Sequence, residues 1–337
     1  MERETQFVGE SGAFLDAVEM ASRAAALDRP VLVIGERGTG KELIAERLHR
    51  LSQRWEGPLI TLNCAALPET LIEAELFGHE AGAFTGATRA RAGAFEEADG
   101  GTLFLDEMAT LSQAAQERLL RAVEYGEVTR IGSNKPLKVD VRIVGATNEN
   151  LPDLVDRNRF RADLLDRLSF EVVTLPPLRV RDGDILVLAD YFGRRMAMEL
   201  DWPDWPGFGD EAVKMLIGHD WPGNVRELRN VVERSVYRWE RPEEPINHIQ
   251  LDPFDSPWQI PAEPRPALNG GEPAPPPAAP RTKPVVDDFK AAVEAYEKEI
   301  LEAALERARY NQRQTAKALG LSYDQLRHAL KRHDMIG

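Results

Sequence analysis

Gly35-Glu36-Arg37-Gly38-Thr39-Gly40-Lys41-Glu42 places three glycines ahead of a lysine. A phosphate needs backbone N–H groups turned inward, and residues without a side chain let the backbone come that close. Lys41 adds a point charge for the outer phosphates. The stretch is therefore expected to bind a nucleotide. Glu42 stands where a Ser or Thr hydroxyl commonly ligates magnesium, so a metal here must rely on other ligands and on water. A second pair that can do chemistry is Asp106-Glu107. Of the two adjacent carboxylates, Asp106 suits a magnesium ion and Glu107 suits the polarisation of an attacking water. Glycine loop and acidic pair together point to phosphoryl transfer to water.

These residues need a scaffold that brings them to one place. Val31-Leu32-Val33-Ile34 precedes the glycine loop, and a helical pattern through Glu46 and Leu48 follows it, giving strand, loop, helix. Leu59 to Asn63, Gly101 to Glu107 and Val141 to Asn148 read as further strands, short and apolar as buried parallel strands are. They end in polar residues, as expected where ligands gather at the carboxyl ends of a parallel sheet. Ahead of the first strand, Phe7-Val8-Gly9-Glu10-Ser11 leads into an amphipathic helix with Phe14, Leu15, Val18 and Ala21. A helix from about Glu69 to Leu76 gives way to a stretch unlike ordinary core, Phe77 to Ala87, and Val128 to Lys138 reads as a surface hairpin or loop.

Past the sheet the period changes. Asp184 to Leu200, Asp210 to Gly218 and Val225 to Trp239 are helical with little strand signal, which predicts a small helical subdomain. Eleven prolines between Pro253 and Pro284, broken by Asn269-Gly270-Gly271, have the composition of an extended tether. Beyond it, Phe289 to Ala308 carries an apolar stripe able to pair with a second copy. Gln312 to Leu319, a turn at Gly320, and Tyr323 to Arg332 have helix-turn-helix spacing. The expected organisation is a 1–175 α/β ATPase subdomain, a 176–252 helical lid, a 253–284 linker and a 285–337 DNA-binding domain.

Composition sets bounds on this reading. With 337 residues and 43% hydrophobic content the chain can bury a sizeable core and hold more than one unit. A net charge of −14 argues against nucleic-acid binding by the whole surface. From Arg307 to the end, seven Lys and Arg oppose two Asp, a local reversal that a DNA backbone favours. A helical oligomerisation domain without DNA is the competing reading of that segment. The single cysteine, Cys64, excludes an internal disulfide framework and suits a small buried thiol. No apolar run approaches membrane-spanning length and no signal segment is evident, so a cytoplasmic protein without membrane insertion is expected.

From Phe7 to about Asp252 these motifs, in this order, resemble the ATPase domain of bacterial enhancer-binding proteins, the AAA+ activators of sigma-54 RNA polymerase. The most specific piece is Gly82-Ala83-Phe84-Thr85-Gly86-Ala87, and Glu42 after the lysine is also the family's habit. The resemblance implies an AAA+ three-layer α/β sandwich with a helical lid, using ATP and Mg2+. It implies that this loop, together with the one near Val128 to Lys138, contacts sigma-54 and rises or falls with nucleotide state. Glycines at both ends would let the segment swing, while Phe84 offers apolar surface and Thr85 a hydroxyl.

Carried over residue by residue, the resemblance makes Asn63 a coupler of Glu107 to the γ-phosphate and makes Asn148, with Thr147, a sensor of it. Arg161 and Arg167 would complete a neighbouring subunit's site, so hydrolysis needs a homo-oligomer, with hexameric rings expected from dimers. Arg226 would report nucleotide to the lid, and Val8 and Gly9 would line the adenine end. The terminal segment resembles the Fis-type helix-turn-helix. Ser322, Tyr323, Gln325, Arg327 and His328 are then placed to reach enhancer DNA, with Lys331 and Arg332 on phosphates. With Phe7 already in the ATPase pattern, no receiver or ligand-sensing domain is expected ahead of it, which resembles the branch of the family that serves phage shock promoters. That likeness implies outside control by an inhibitory partner, phage shock protein A, for which Trp55 is the candidate docking aromatic. The competing expectation is a DNA-bound regulator whose nucleotide is only a switch, without remodelling.

Overall fold

The computed structural model describes residues 7–254, 258, 297–298, 301, 304–305, 311–321 and 323–333. Most of the expected linker, most of the helix expected over Phe289 to Ala308, and Ser322 lie outside them. The chain divides into two compact units, Met1–Gln259 and Ile260–Gly337.

In the first unit, α1 (Gly12–Ala25) leads to β1 (Val31–Ile34), α2 (Lys41–Arg50), β2 (Leu59–Asn63), α3 (Glu69–Phe77), α4 (Ala94–Glu97) and β3 (Thr102–Asp106). Then come α5 (Gln113–Tyr125), the hairpin strands β4 (Glu127–Thr129) and β5 (Pro136–Lys138), β6 (Arg142–Thr147), α6 (Leu151–Asp156), α7 (Ala162–Leu168) and β7 (Glu171–Thr174). Helices α8 (Asp184–Glu199), α9 (Asp210–Gly218) and α10 (Asn224–Tyr237) complete the unit.

Five strands form a sheet in the order β2-β3-β6-β1-β7, every pair parallel. Because successive strand residues face opposite sides, Leu32, Leu103, Leu105 and Ile143 pack with Ile72, Leu76, Phe95, Leu119 and Leu164 on one face. Val31, Val33, Phe104, Val144 and Ala146 pack with Ala17, Ala21, Ile44 and Leu48 of α1 and α2 on the other. The result is a three-layer sandwich. Strand β7 was not among the expected strands: Glu171-Val172-Val173-Thr174 has only two apolar residues and so no apolar run of strand length, and it is fixed by pairing with β1.

Buried Arg142 on β6 holds α1 and α2 to the sheet. Its guanidinium donates to the carbonyls of Ala24 (2.9 Å), Ala25 (3.0 Å) and Leu48 (3.4 Å), the last turns of the two helices, where a cation suits the carbonyl ends. Helix α5 starts at Ser112, whose hydroxyl accepts from Ala115 N, and stops at Gly126, φ +62°. The lid packs α8 to α10 around Leu188, Phe192, Leu216, Leu228, Val232 and the fully buried Trp221, whose indole N–H donates to Leu216 O (2.8 Å).

In the second unit, helices Gln312–Ala318 and Tyr323–Arg332 flank a turn at Gly320, φ +65°. Leu301, Leu305, Ala316, Leu326 and Leu330 form its core, as the helix-turn-helix pattern anticipates.

Candidate functional site

The glycine loop leaves the carboxyl end of β1 and feeds α2. Gly38 and Gly40 have φ of +81° and +100°, a region that admits glycine without strain. A Cβ on Gly38 would lie 3.1 Å from Arg226 Cβ and closer still to Gly223 O, so lid backbone and glycine loop are in direct contact. Lys41, 7% exposed, turns its ammonium to Gly35 O (2.9 Å) and Glu36 O (3.4 Å) at the mouth of the loop. Its Nζ lies 3.9 Å from Glu107 Oε1. Burial lowers the lysine's pKa, while Glu107 and Asp106 oppose that shift and Arg226 adds to it. Lys41, Asp106, Glu107 and Arg226 therefore share one electrostatic site, although they come from α2, the end of β3 and α10.

Glu107 follows β3 with φ +50°, a left-handed backbone that few residues other than glycine adopt. This turns its side chain away from the strand's line. Its own N–H donates to Asp106 Oδ1 (3.0 Å). Asn63, expected to couple to Glu107, donates instead to Asp106 Oδ2 (3.3 Å), and its Oδ1 accepts from Ala65 N (2.9 Å). The reason is register: Asn63 and Asp106 are direct partners in the parallel ladder of β2 and β3, one residue short of Glu107. Thr147 ends β6 beside the loop, its carbonyl accepting from Gly35 N (3.2 Å), and Asn148 is exposed immediately beyond it.

Glu36 and Arg37 enter the site differently from the glycines. The Glu36 carboxylate faces the lid: Arg179 forks onto it (2.9 and 2.6 Å) and Asn224 Nδ2 donates to it (3.1 Å), which holds its pKa down at about 2. Arg37 is exposed and its carbonyl accepts from Asn224 Nδ2 (3.0 Å). Thr39 is buried and its hydroxyl donates to Glu36 O (2.9 Å), while Glu42 is exposed on the first turn of α2.

Val8 and Gly9 sit against the lid. Fully buried Asp184, first residue of α8, accepts from Glu10 N (2.6 Å), Ser11 N (3.0 Å), Ser11 Oγ (2.9 Å) and Arg181 Nε (2.7 Å). Arg181 stacks 3.9 Å over the Phe14 ring and donates to Val8 O (3.4 Å). These polar groups went unnoticed in the sequence. The run Arg179-Val180-Arg181-Asp182-Gly183-Asp184 shows charge, but nothing in its spacing says which members are buried.

Arg161 precedes α7 and Arg167 lies in its last turn, and both are held by nearby carboxylates. Arg161 forks onto Asp163 (3.0 and 2.7 Å) and Arg167 reaches Glu124 (2.7 Å). In the loop Gly82 to Ala87, Gly82 N donates to Ala87 O (2.7 Å) and closes its base, with φ of +81° at Gly82 and +105° at Gly86. Phe84, 38% exposed, packs edge-on against His79 at 5.0 Å, and Ala83 N donates to Glu80 O (3.2 Å). The stem is stitched to the hairpin connection by Glu80 N to Ile131 O (2.9 Å) and Ile131 N to Gly78 O (2.9 Å). Arg130 adds a fork onto Glu96 (2.8 and 2.7 Å) and a contact to Glu80 (3.3 Å). Loop and hairpin thus form one assembly.

Trp55 is 62% exposed between α2 and β2, beside Arg54, which is anchored to Asp28 (2.6 Å) and Asp140 (2.7 Å). In the second unit Tyr323, Gln325, Arg327, His328 and Lys331 are exposed. The Tyr323 hydroxyl donates to Gln312 (3.2 Å), and Arg332 is paired with Glu297. Burial pushes the Cys64 thiol up to about 12, as suits a small buried thiol. Asp106 has the character magnesium needs: a single carboxylate next to a phosphate cradle, leaving the other positions to water and phosphate oxygens.

A parallel five-stranded sheet with a glycine loop, a strand-end acidic pair and a helical lid at its carboxyl edge defines an AAA+ P-loop domain. Residues 7–174 match the sigma-54 interaction domain, 179–253 the AAA+ ATPase lid domain and 292–333 the bacterial regulatory protein, Fis family. The chain belongs to the sigma-54-dependent transcriptional activators, with a DNA-binding helix-turn-helix. It is 51% identical over 99% of both chains to the Psp operon transcriptional activator of Escherichia coli K12, and 44% identical to the transcriptional regulatory protein ZraR of Salmonella typhimurium, over 96% of this chain and 68% of that one. Among solved structures it is similar to NtrX from Brucella abortus in complex with ATP, with TM-score 0.68 and 32% identity over 98% of this chain and 70% of that one. The NtrX complex with ADP matches equally well. Among the described residues no helix is long and apolar enough to cross a membrane.

Proposed function

We propose that this activator hydrolyses ATP to ADP and phosphate within a ring of its own copies and uses the cycle to remodel the sigma-54 RNA polymerase closed complex at phage shock promoters. The observation that carries the reading is the approach of Glu107 to Lys41 at the mouth of the glycine loop, with Asp106 alongside. The loop N–H groups and Lys41 bind the phosphates. Glu107 takes a proton from a water as its oxygen bonds to the γ-phosphorus and the bridging P–O bond to ADP breaks. Asp106 would hold Mg2+, which supplies positive charge against the phosphate oxygens. Arg161 and Arg167, released from Asp163 and Glu124, reach a neighbour's site, so turnover depends on the ring. Asn63, through Asp106, and Asn148 read the phosphate's presence at the strand ends, and Arg226 passes it to the lid.

The Gly82 to Ala87 loop then presents Phe84 and Thr85 to sigma-54. Gln325, Arg327 and His328 read enhancer bases from the recognition helix, and Lys331 contacts phosphate. Phage shock protein A is the inhibitory partner in this reading, and Trp55, 62% exposed, offers an aromatic for it. Open-complex formation by purified sigma-54 polymerase, enhancer DNA and ATP tests the reading. Wild-type chain should melt the promoter and Glu107→Gln should not; melting by Glu107→Gln would favour a nucleotide switch without hydrolysis.

A further inference from the structure

A carboxylate in a phosphate-binding loop is electrostatically out of place, since it repels the ligand the loop serves. Glu36 resolves this by facing away. Its carboxylate is gripped by Arg179, on the connection between sheet and lid, and by Asn224, the first residue of α10. Asn224 is fully buried with φ +50° and uses its whole amide: Oδ1 accepts from Leu178 N (2.7 Å), and Nδ2 donates to Glu36 and to Arg37 O (3.0 Å). One residue on, Val225 N donates to Gly38 O (3.1 Å). Arg226 follows, its Cβ against Gly38. Three consecutive residues of the glycine loop are thus tied to the start of the helix that carries Arg226.

From this we infer that Glu36 is a latch: together with Arg179 and Asn224 it fastens the lid to the phosphate loop and positions Arg226 over the nucleotide. Glu36, Arg179 and Asn224 are positioning residues: their side chains bond to one another at the lid side of the loop. Phosphate drawing the loop N–H groups inward moves the backbone of Glu36 to Gly38, and the latch carries that displacement into α10. The inference deepens the nucleotide-site reading and rests on it.

The test uses the full chain, with ATP turnover and the affinity for a fluorescent ATP analogue as readouts. Arg179 is a surface side chain, so Arg179→Ala is expected to fold, and circular dichroism checks this. Arg179→Ala should raise the KM for ATP about tenfold with kcat changed less than about threefold, since ground-state positioning is what is lost. In an Arg226→Ala background the same change should have an effect of less than about twofold, because the latch acts through that arginine. Swapping the pair, Glu36→Arg with Arg179→Glu, should recover most of the affinity that either single change loses. The latch is overturned if Arg179→Ala leaves KM and analogue affinity unchanged, or if its effect adds in full to that of Arg226→Ala. Failure of the wild-type chain to turn over ATP would count against hydrolysis alone, since analogue affinity still reads the latch.

Discussion

Lys41 Nζ stands 3.9 Å from Glu107 Oε1, the ammonium from the first residue of α2 and the carboxylate from a left-handed turn after β3. The proposed reaction gives the two different jobs, so their loss should look different. Lys41→Ala is expected to abolish binding of a fluorescent ATP analogue. Glu107→Gln should keep binding and lower turnover by about 10²-fold or more, the scale of a lost general base. Equal effects on binding would contradict the division of labour.

The assembly of the Gly82 to Ala87 loop with the hairpin connection makes a second prediction. Gly132, φ +83°, faces Ala83 so closely that a Cβ there would lie 3.0 Å from Ala83 Cβ. Gly132→Val adds backbone strain of about 1–3 kcal/mol and pushes the hairpin off the loop. ATP turnover should persist while capture of sigma-54 in a pull-down with a γ-phosphate transition-state analogue falls. Undiminished capture would mean the hairpin does not hold the loop.

Asp184 supplies a pH prediction. Hydrogen bonds from Glu10, Ser11 and Arg181 hold its carboxyl below the ordinary value despite burial. A depressed folded-state pKa contributes stability that is fully present above the unfolded value, about 3.9, and is lost as pH falls through the folded one. Urea midpoints should therefore decline below about pH 4 in wild type, and Asp184→Ala should flatten that decline. At neutral pH the variant should lose about 3–5 kcal/mol, because Arg181 remains buried without its partner. A pH profile parallel to wild type would assign the acid loss to other carboxylates.

Subunit mixing tests Arg161 and Arg167. Arg161→Ala and Lys41→Ala chains should each be inactive alone. Mixed, they should recover a fraction of ATP turnover, because Lys41→Ala subunits lend their arginines to intact glycine loops in the partner. No recovery at any ratio would place Arg161 in its own subunit's chemistry.

Much of this was legible in the residues. Continuous apolar runs such as Val31-Leu32-Val33 and Leu103-Phe104-Leu105 announce strands with both faces covered, and the glycines ahead of Lys41 announce the phosphate loop. Pairings across long separations were not legible. Asp184 meets Ser11 at a separation of 173 residues, and Asn224 meets Glu36 at 188; no local period encodes either. Asn63 bonds Asp106 rather than Glu107 because the register of β2 on β3 decides it, and register is a property of the folded sheet. Strand β7 escaped because Glu171-Val172-Val173-Thr174, at the sheet edge, holds only two apolar residues, whereas the equally short β1 is apolar throughout.

Force delivered to sigma-54 through the Phe84-Thr85 tip is the central claim, and promoter melting per ATP hydrolysed by Thr85→Ala measures it most directly. The variant should hydrolyse ATP within about twofold of wild type, since Thr85 lies outside the nucleotide site, yet form no open complex. Melting at the wild-type yield per ATP would contradict the account.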